Sequence, residues 1–261
     1  MTIADIAACL ESIAPLSLQE QYDNAGFLTG DPAGDCTGVL CTLDVTEAVV
    51  EEASRRNCNC IVAHHPLIFR GLKTLAGTGY VEKTVLAAIR SNVTIYASHT
   101  NLDNVAEGVN ARIAGRIGLL DRRLLSEVSP GVGAGMIGQL PATLEADGFL
   151  ALLKDRFGTG AIRYCGGHNG PIRRVAVCGG SGSFLISRAL TEGADAFVTA
   201  DIKYHDFFTP AGRMMLCDIG HYESEQFTVD LLVEILLQKF PTFAVLKSEV
   251  KTNPVRYFTG I

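Results

Sequence analysis

The stretch VLCTLDVTEAVVEEASRRNCNCIVAHH, residues 39–65, contains the pattern that decides the fold. Its two apolar runs, VLCTLD and CIVAHH, are short and continuous, as in strands that are buried on both faces of a parallel sheet. Between them, TEAVVEEASRR carries its apolar residues at helical spacing, and a further helical pattern, YVEKTVLAAIRS, precedes a third run, VTIYASH. This alternation of strands and helices predicts an α/β fold with a largely parallel sheet.

The second half of the chain repeats this order of elements, which suggests an internal duplication. An offset of 136 residues aligns Val39 with Val175 and continues without a gap through the second predicted strand. The same offset aligns Asn57 with Gly193, the two residue types that most readily adopt a left-handed conformation at the end of a helix. We therefore predict two similar, internally duplicated α/β domains with mostly parallel central sheets.

Two further segments bear on the domain boundaries. The offset falls to 122 beyond the second strand, so the first half carries extra residues in PLIFRGLKTLAGTGYV, 66–81, which we predict to form a loop over a site. The Gly-rich stretch SPGVGAGMIGQLP, 129–141, is predicted to be a short connection. The predicted domains span residues 1–125 and 126–261, and interleaving of the two halves stays open.

Composition and charge exclude several classes of protein. Lys and Arg number 22 against 28 Asp and Glu, for a net charge of −6, and there is no basic run, which disfavours nucleic acid as a partner. The 48% hydrophobic and 19% charged residues exclude a disordered chain. The first helix carries no basic leader, and the longest apolar stretch, LLVEILL, is too short to span a bilayer, so we expect a cytoplasmic protein without membrane contact.

Eight cysteines lie mostly inside apolar runs, where a free thiol behaves as a small hydrophobic side chain. We therefore expect no disulfide framework. Cys58 and Cys60 form a C-x-C motif that enters a strand; two thiols without a second pair make an incomplete metal site, so a structural role is favoured.

Four histidines follow predicted strands at their carboxyl ends, where open parallel sheets bind ligands. They are His64, His65, His99 and His221. Because Pro66 ends the strand, the adjacent pair can splay so that each imidazole serves a different metal ion. The alternative for this pair is one buried and one exposed histidine.

Two His-x-x-x-carboxylate pairs add oxygen ligands to this set. His99 precedes Asp103, and His221 precedes Glu225, by four residues, so a helical turn brings each pair onto one face. Imidazole and carboxylate together suit Zn, Mn, Fe or Co, and a bridging carboxylate holds two ions about 3.5 to 4 Å apart. Either carboxylate could instead stabilise a helix N-terminus.

The Gly-rich turn CGGSGSF follows a predicted strand and precedes a helix, where backbone N–H groups can bind a phosphate. A serine in this turn could equally be a plain helix cap. The turn comprises Gly180, Ser181, Gly182 and Ser183. In TADIKYHDFF, the polar residues Asp201, Lys203 and His205 either contact substrate or are solvated.

Taken together, the motifs QYDNAGFLTGD, LDVT, AHHPLIF, SHTNLDN, GGSGS, TADIKYHD and DIGHYESEQ resemble those of the NIF-three-like family, whose bacterial members are named GTP cyclohydrolase I type 2 homologs. The resemblance runs nearly end to end. It implies two related α/β domains, a dinuclear metal centre between them and a toroidal homohexamer. Tyr22 stands where the family often has Trp, and the extra domain of some members is absent.

By motif position, the resemblance implies five metal ligands, with Glu225 bridging: His64, His65, Asp103, His221 and Glu225. His99 would be a catalytic residue beside them or a further ligand.

The function that we expect is hydrolysis, at two divalent ions, of a nucleotide or a related phosphorylated small molecule. His99 or His205 would move the proton, and the Gly-rich turn would hold the phosphates. Zn, Fe, Mn, Ni and Co all stay open. The alternatives are a metal-binding scaffold or regulatory protein without catalysis, and redox chemistry at an iron pair.

Overall fold

The computed structural model describes residues 1–166 and 170–258. The chain forms two compact units, one of Met1–Leu102 with Thr228–Pro254 and the other of Asp103–Phe227 with Val255–Ile261. The units are thus interleaved, and their boundaries differ from a single division after residue 125. The difference arises because the last helix and strand of the chain pack in the first unit, beside strands that the N-terminal half supplies.

The first unit is built on a five-stranded sheet. Its elements are α1 (Ile3–Glu11), β1 (Gly26–Thr29), β2 (Val39–Thr42), α2 (Glu47–Arg55), β3 (Cys60–Ala63), α3 (Tyr80–Arg90), β4 (Thr94–Ala97), α4 (Thr100–Asp103, at the unit boundary), and, near the C-terminus, α9 (Thr228–Lys239) and β11 (Val245–Lys247). The strand order is β1-β4-β3-β2-β11. All neighbouring strands are parallel except the edge strand β1, which runs antiparallel to β4.

The three central strands of this sheet form where the sequence predicts them. Every residue of β2, β3 and β4 is buried, as expected for parallel strands covered on both faces. The hydroxyl of Thr46 caps α2 by accepting from the backbone N–H of Val49 at 3.4 Å. Asn57 then reverses the chain with φ of 57°, so α2 ends close to the start of β3.

The second unit is built on a six-stranded sheet. Its elements are α5 (Val109–Ile117), β5 (Leu120–Ser129), β6 (Val132–Leu144), α6 (Ala146–Phe157), β7 (Arg163–Cys165), β8 (Ile172–Ser181), α7 (Ile186–Thr191), β9 (Ala196–Ala200), β10 (Met215–Asp218) and α8 (His221–Glu225). The strand order is β5-β6-β8-β9-β10-β7. The central strands β8, β9 and β10 are parallel, and the flanking strands are antiparallel.

The Gly-rich stretch at residues 129–141 is mostly strand β6, so its prediction as a connection is wrong. β6 pairs with β5 on one side and with β8 on the other. Its glycines allow close backbone approach: a Cβ at Gly133 would lie 2.2 Å from the Ser126 carbonyl oxygen, and a Cβ at Gly138 would lie 2.7 Å from that of Leu120. Glycine here reflects tight strand packing rather than a flexible linker.

Strand register supports the internal duplication. Val39 pairs with Cys60 in the first sheet, and Val175 pairs with Ala196 in the second, so both partners are related by the same offset of 136 residues. Gly193, like Asn57, has a positive φ, of 69°. Both sheets also place an antiparallel edge strand beside their third parallel strand. The shared α/β design is therefore present in each unit.

The offset in the third parallel strand differs by one residue from the predicted value. Thr94 pairs with Cys60, whereas Met215 pairs with Ala196, so the strands correspond at an offset of 121. The extra residue needed to align the histidines lies between β10 and α8, where Gly220 has φ of 93°. A Cβ at Gly220 would lie 2.3 Å from Oε2 of Glu223. Only glycine fits this turn, which introduces α8.

Two expectations from composition can be compared with the fold. All eight cysteines lie within the described residues as free thiols; seven are buried and Cys165 is partly exposed. Among the residues that the structure describes, none of the helices is both long and apolar enough to cross a bilayer.

Candidate metal centre

The first unit gathers three histidines at the carboxyl ends of its parallel strands. His64 and His65 follow β3, and His99 follows β4. Their ring centroids are 4.9 to 5.6 Å apart, and their candidate ligand atoms all lie within 4.8 Å of one another. The adjacent pair is not split into one core and one solvent residue: His64 is fully buried and His65 is partly buried, but both rings belong to this cluster.

Each ring of this cluster directs its Nδ1 atom toward a carbonyl or carboxylate oxygen. Such an oxygen accepts a hydrogen bond but cannot donate one, so Nδ1 must be the donor. Nδ1 of His64 donates to the Ser98 carbonyl at 2.9 Å, and Nδ1 of His65 donates to Oδ1 of Asp44 at 2.7 Å. In the neutral imidazole, a proton fixed on Nδ1 leaves the lone pair on Nε2. This is the arrangement that metal-binding histidines adopt in proteins.

His99 shows the same arrangement with a buried carboxylate. Its Nδ1 donates to Oδ1 of Asp23 at 2.7 Å, and the Thr100 hydroxyl donates to the other oxygen at 2.5 Å. Burial by itself would raise the pKa of Asp23, but the hydrogen bonds from His99 and Thr100 outweigh it and lower that pKa to about 2. Asp23 is therefore ionised at neutral pH and holds the His99 ring in place.

The segment after His65 is a loop, as predicted, which extends to the start of α3 at Tyr80. Near the start of this loop, Nδ2 of Asn24 donates a hydrogen bond to the Ile68 carbonyl at 2.5 Å. The next residue, Phe69, is 44% exposed, and its ring centroid lies 6.2 Å from that of His99. The loop thus contributes an aromatic side chain to the border of the histidine cluster.

The second unit holds a histidine and three carboxylates. The turn predicted between His221 and Glu225 is present as α8, and Nε2 of His221 lies 3.0 Å from Oε2 of Glu225. Nδ1 of His221 donates to Oδ2 of Asp201 at 2.7 Å, and the Ser181 hydroxyl donates to that oxygen at 2.5 Å. Asp201 itself has φ of 54°, a conformation that is uncommon outside glycine and that can mark functional sites.

Negative charge is concentrated around His221. Burial alone would lower the pKa of His221, but the hydrogen bonds and charges of Asp201 and Glu225 raise it to about 11. Asp103 lies nearby, with a carboxylate oxygen within 4.8 Å of one of Glu225. Burial raises the pKa of the Cys178 thiol, and the charges of Asp103 and Glu225 raise it further. His221, Glu225 and their neighbours thus form a group of side chains that could hold a divalent cation.

The Gly-rich turn that the sequence predicts to bind phosphate makes its hydrogen bonds to neighbouring side chains. The N–H of Gly180 donates to the Ser224 hydroxyl and that of Gly182 to the Thr199 hydroxyl, both at 3.0 Å. A Cβ at Gly180 would lie 2.6 Å from Oε1 of Glu225. Ser181 ends β8, and Ser183 begins a short 3₁₀ turn rather than an α-helix. Gly180 therefore makes room for Glu225, Gly182 makes room for Thr199 and Cys178, and the N–H groups of both glycines are used within the unit.

The polar residues of TADIKYHDFF take separate places. Asp201 is exposed but bonded, since it accepts from His221 and Ser181 as described above. Lys203 is exposed just before a 3₁₀ turn, Tyr204–Phe208, that carries His205. His205 is also exposed, and its ring packs edge-on against Tyr204 with centroids 5.2 Å apart.

Three residues that shape the site have no role in the sequence-based prediction: Asp23, Asp44 and Thr100. Asp44 offered a signal, because it follows β2 at the same sheet edge where the histidines follow β3 and β4. Asp23 offered only its place in the motif QYDNAGFLTGD, since it lies before β1 in an irregular segment and reaches His99 across 76 positions of sequence.

The comparisons with known proteins concern nearly the whole chain. The model of the Duf34/NIF3 (NGG1p interacting factor 3) family matches residues 1–254. A Lactococcus lactis protein named GTP cyclohydrolase 1 type 2 homolog is 34% identical over 264 residues, covering 97% of this chain and 98% of the relative. A Clostridium perfringens protein of the same name is 33% identical over 230 residues, covering 86% and 87%.

Solved structures resemble the chain equally broadly. A hypothetical protein of Staphylococcus aureus is 29% identical, with a TM-score of 0.91 and 99% of each chain covered. A Bacillus cereus protein described as related to NIF3 gives a TM-score of 0.90 at 23% identity, again over 99% of each chain.

Proposed function

Because the chain belongs to the Duf34/NIF3 family, we propose that it is a metal-dependent hydrolase that binds two divalent ions and acts on a nucleotide such as GTP. The observation that carries the metal part is the common orientation of its histidines. His64, His65, His99 and His221 each donate from Nδ1 to a carbonyl or carboxylate, so Nε2 would be the ligand atom of each histidine that holds an ion.

The donor set fits divalent transition metals. Imidazole nitrogens and carboxylate oxygens without thiolates suit Zn, Mn, Fe, Co or Ni. In this proposal the residues that would hold the ions are His64, His65, Asp103, His221 and Glu225. The close approach of Asp103 and Glu225 supports this choice, because two neighbouring carboxylates repel unless a cation lies between or beside them.

The metal ions would polarise the bond under attack and lower the pKa of a water molecule to near neutrality. The residues of the chain then orient and protonate. His99 is held by an ionised Asp23, so its ring is fixed for proton transfer at Nε2, or for use as a further ligand. His205, on its exposed turn, stays the second candidate for the proton shuttle.

The nucleotide is the part of the proposal that rests on the names of the relatives, which are called GTP cyclohydrolase 1 type 2 homologs. Hydrolytic opening of a purine ring suits a pair of metal ions that activate water. Self-association into a ring of six copies also belongs to the proposal, and the mass of the assembly in solution by light scattering tests it.

Metal analysis by mass spectrometry, combined with formate release from GTP by the same metal-loaded sample, tests the function. We expect about two ions per chain and turnover, as for two-metal hydrolases. The triple variant His64→Ala, His65→Ala and Glu225→Gln should lose both, whereas Glu51→Gln, an exposed substitution on α2, should retain both. Two ions without turnover would reject GTP as substrate and favour a non-catalytic metal-binding role. Wild-type protein without metal would reject the proposal entirely.

A further inference from the structure

The end of the chain makes contacts that the proposed metal centre does not explain. After β11, residues 248–254 fold against the first unit, and residues 255–258 belong to the second. The segment forms no helix or strand, yet it is held by side-chain hydrogen bonds. Ser248 donates from its hydroxyl to Glu52 at 2.6 Å, and the Glu249 N–H donates to the same carboxylate at 3.0 Å.

Thr252 connects this segment to the histidine cluster. Its hydroxyl donates to Oδ2 of Asp44 at 2.7 Å, while Oδ1 of Asp44 accepts from Nδ1 of His65 at 2.7 Å. Asp44 is only partly buried, with 34% of its side chain exposed, and a carboxylate in such a place can rotate. A donor on its second oxygen restricts that rotation and thereby fixes the plane of the His65 ring.

A hydroxyl donor is also present at the other two carboxylate partners, on the second oxygen of Asp23 and on the same oxygen that His221 uses in Asp201. Asp23 accepts from the hydroxyl of Thr100, and Asp201 accepts from that of Ser181. Thr100 is the first residue of α4, and Ser181 is the last residue of β8. Thr252 alone of these three donors lies in the C-terminal segment, 208 positions from its partner. The chain thus brings its end back to supply a donor on the second oxygen of Asp44, as Thr100 does on the second oxygen of Asp23.

Tyr257, at the other end of the segment, lies beside α8 in the second unit. Its hydroxyl lies near the turn that introduces α8, 2.9 Å from where a Cβ of Gly220 would be, and Glu223 Oε2 lies 2.3 Å from that point. The ring lies against Gly160, whose Cβ would be 2.5 Å from it, so both glycines leave space for this tyrosine. Burial raises the pKa of Tyr257, as do the charge of Glu223 and a hydrogen bond to it. Glu223 lies on α8 between His221 and Glu225.

We propose that residues 252–257 of the C-terminal segment position the metal ligands in each unit, with Thr252 acting on His65 through Asp44, and Tyr257 acting on α8 through Glu223. Neither residue touches the reacting groups. Their effect is to reduce the freedom of the ligands before the metal binds. This inference rests on the proposed metal centre.

Titration of the metal-free protein with Co²⁺ tests the inference, with affinity and the visible absorption spectrum as readouts. We expect Thr252→Val and Tyr257→Phe each to lower the affinity about tenfold, the lower end of the range for residues that orient ligands, and to alter the spectrum. Thr252→Ser keeps the hydroxyl and should restore wild-type values. Ser248→Ala is the matched control, because it removes a similar hydrogen bond in the same segment, to Glu52 and away from the site.

The outcomes separate the two proposals. Weakened binding in Thr252→Val and Tyr257→Phe, with Ser248→Ala less stable in urea but unchanged in Co²⁺ affinity, supports positioning. Equal affinity in all variants and wild type overturns it, as does a loss in Ser248→Ala as large as that in Thr252→Val, since the effect would then follow general destabilisation. Wild-type protein that binds no Co²⁺ would overturn the metal centre itself and this inference with it.

Discussion

Replacing Gly180 with alanine should weaken metal binding by more than its effect on folding accounts for. Gly180 has φ of 54°, so alanine there costs about 1 to 2 kcal/mol of stability from the left-handed conformation alone. In addition, the new Cβ would lie 2.6 Å from Oε1 of Glu225, against an ordinary contact of at least 3.4 Å. The carboxylate therefore has to move by roughly 0.8 Å, which exceeds the roughly 0.5 Å that a preorganised site tolerates.

Gly193→Ala is the matched control for this substitution. Gly193 has φ of 69° and carries the same conformational cost, but the nearest heavy atom to its Cβ would be Nη1 of Arg174, 4.0 Å away. Both variants should lose about 1 to 2 kcal/mol in urea denaturation of the metal-free protein. Only Gly180→Ala should also lose metal affinity, by about 10- to 100-fold in competition with a chromogenic chelator. If the two variants bind metal equally well, the placement of Glu225 against this turn is irrelevant to the metal and the reasoning fails.

Two other predictions concern stability. Burial by itself would raise the pKa of Glu52, but the hydrogen bonds from Ser248, the Glu249 N–H and Arg56 outweigh burial and lower it. The contribution of Glu52 to the free energy of unfolding is therefore complete above the unfolded pKa of about 4.3. That contribution is lost as pH falls through the lower folded value. Urea denaturation from pH 7 to pH 3.5 should show Glu52→Gln less stable than wild type at pH 7 and the gap narrowing in acid; a constant gap would contradict this. Phe197, fully buried in the second unit, should cost about 3 to 5 kcal/mol when replaced by alanine, measured in the same way, and a loss below 1 kcal/mol would show that the core there is not close-packed.

The strands that the sequence predicts are those that are apolar throughout. Parallel strands such as β3 and β9 are buried at every position, so their composition alone distinguishes them. Strand β5 has a mostly exposed residue pattern and β6 is rich in glycine, and neither carries an apolar run that marks it. Their pairing is determined by contacts between distant parts of the chain, which local composition does not encode.

The histidines of the site were predictable because each follows an apolar run whose end marks the end of a strand. The carboxylates that accept from their Nδ1 atoms were not predictable. Asp44 follows a strand as the histidines do, yet nothing in LDVT distinguishes an orienting aspartate from a helix cap. The glycines near residue 180 leave a related question open in the sequence. A missing Cβ permits close approach of any group, and the sequence does not specify whether that group is a phosphate or the protein's own glutamate.

The duplication explains why one half cannot be interpreted by copying roles from the other. At the offset of 136 residues, His65 of the first unit corresponds to Asp201 of the second. The first is a candidate ligand, whereas the second is the acceptor that orients a different histidine, His221. Asp44, which orients His65, corresponds in turn to Gly180, where a side chain would strike Glu225. The duplicated backbone thus preserves the positions at the sheet edge, while the chemistry at each position has been redistributed so that one unit offers mainly imidazoles and the other mainly carboxylates.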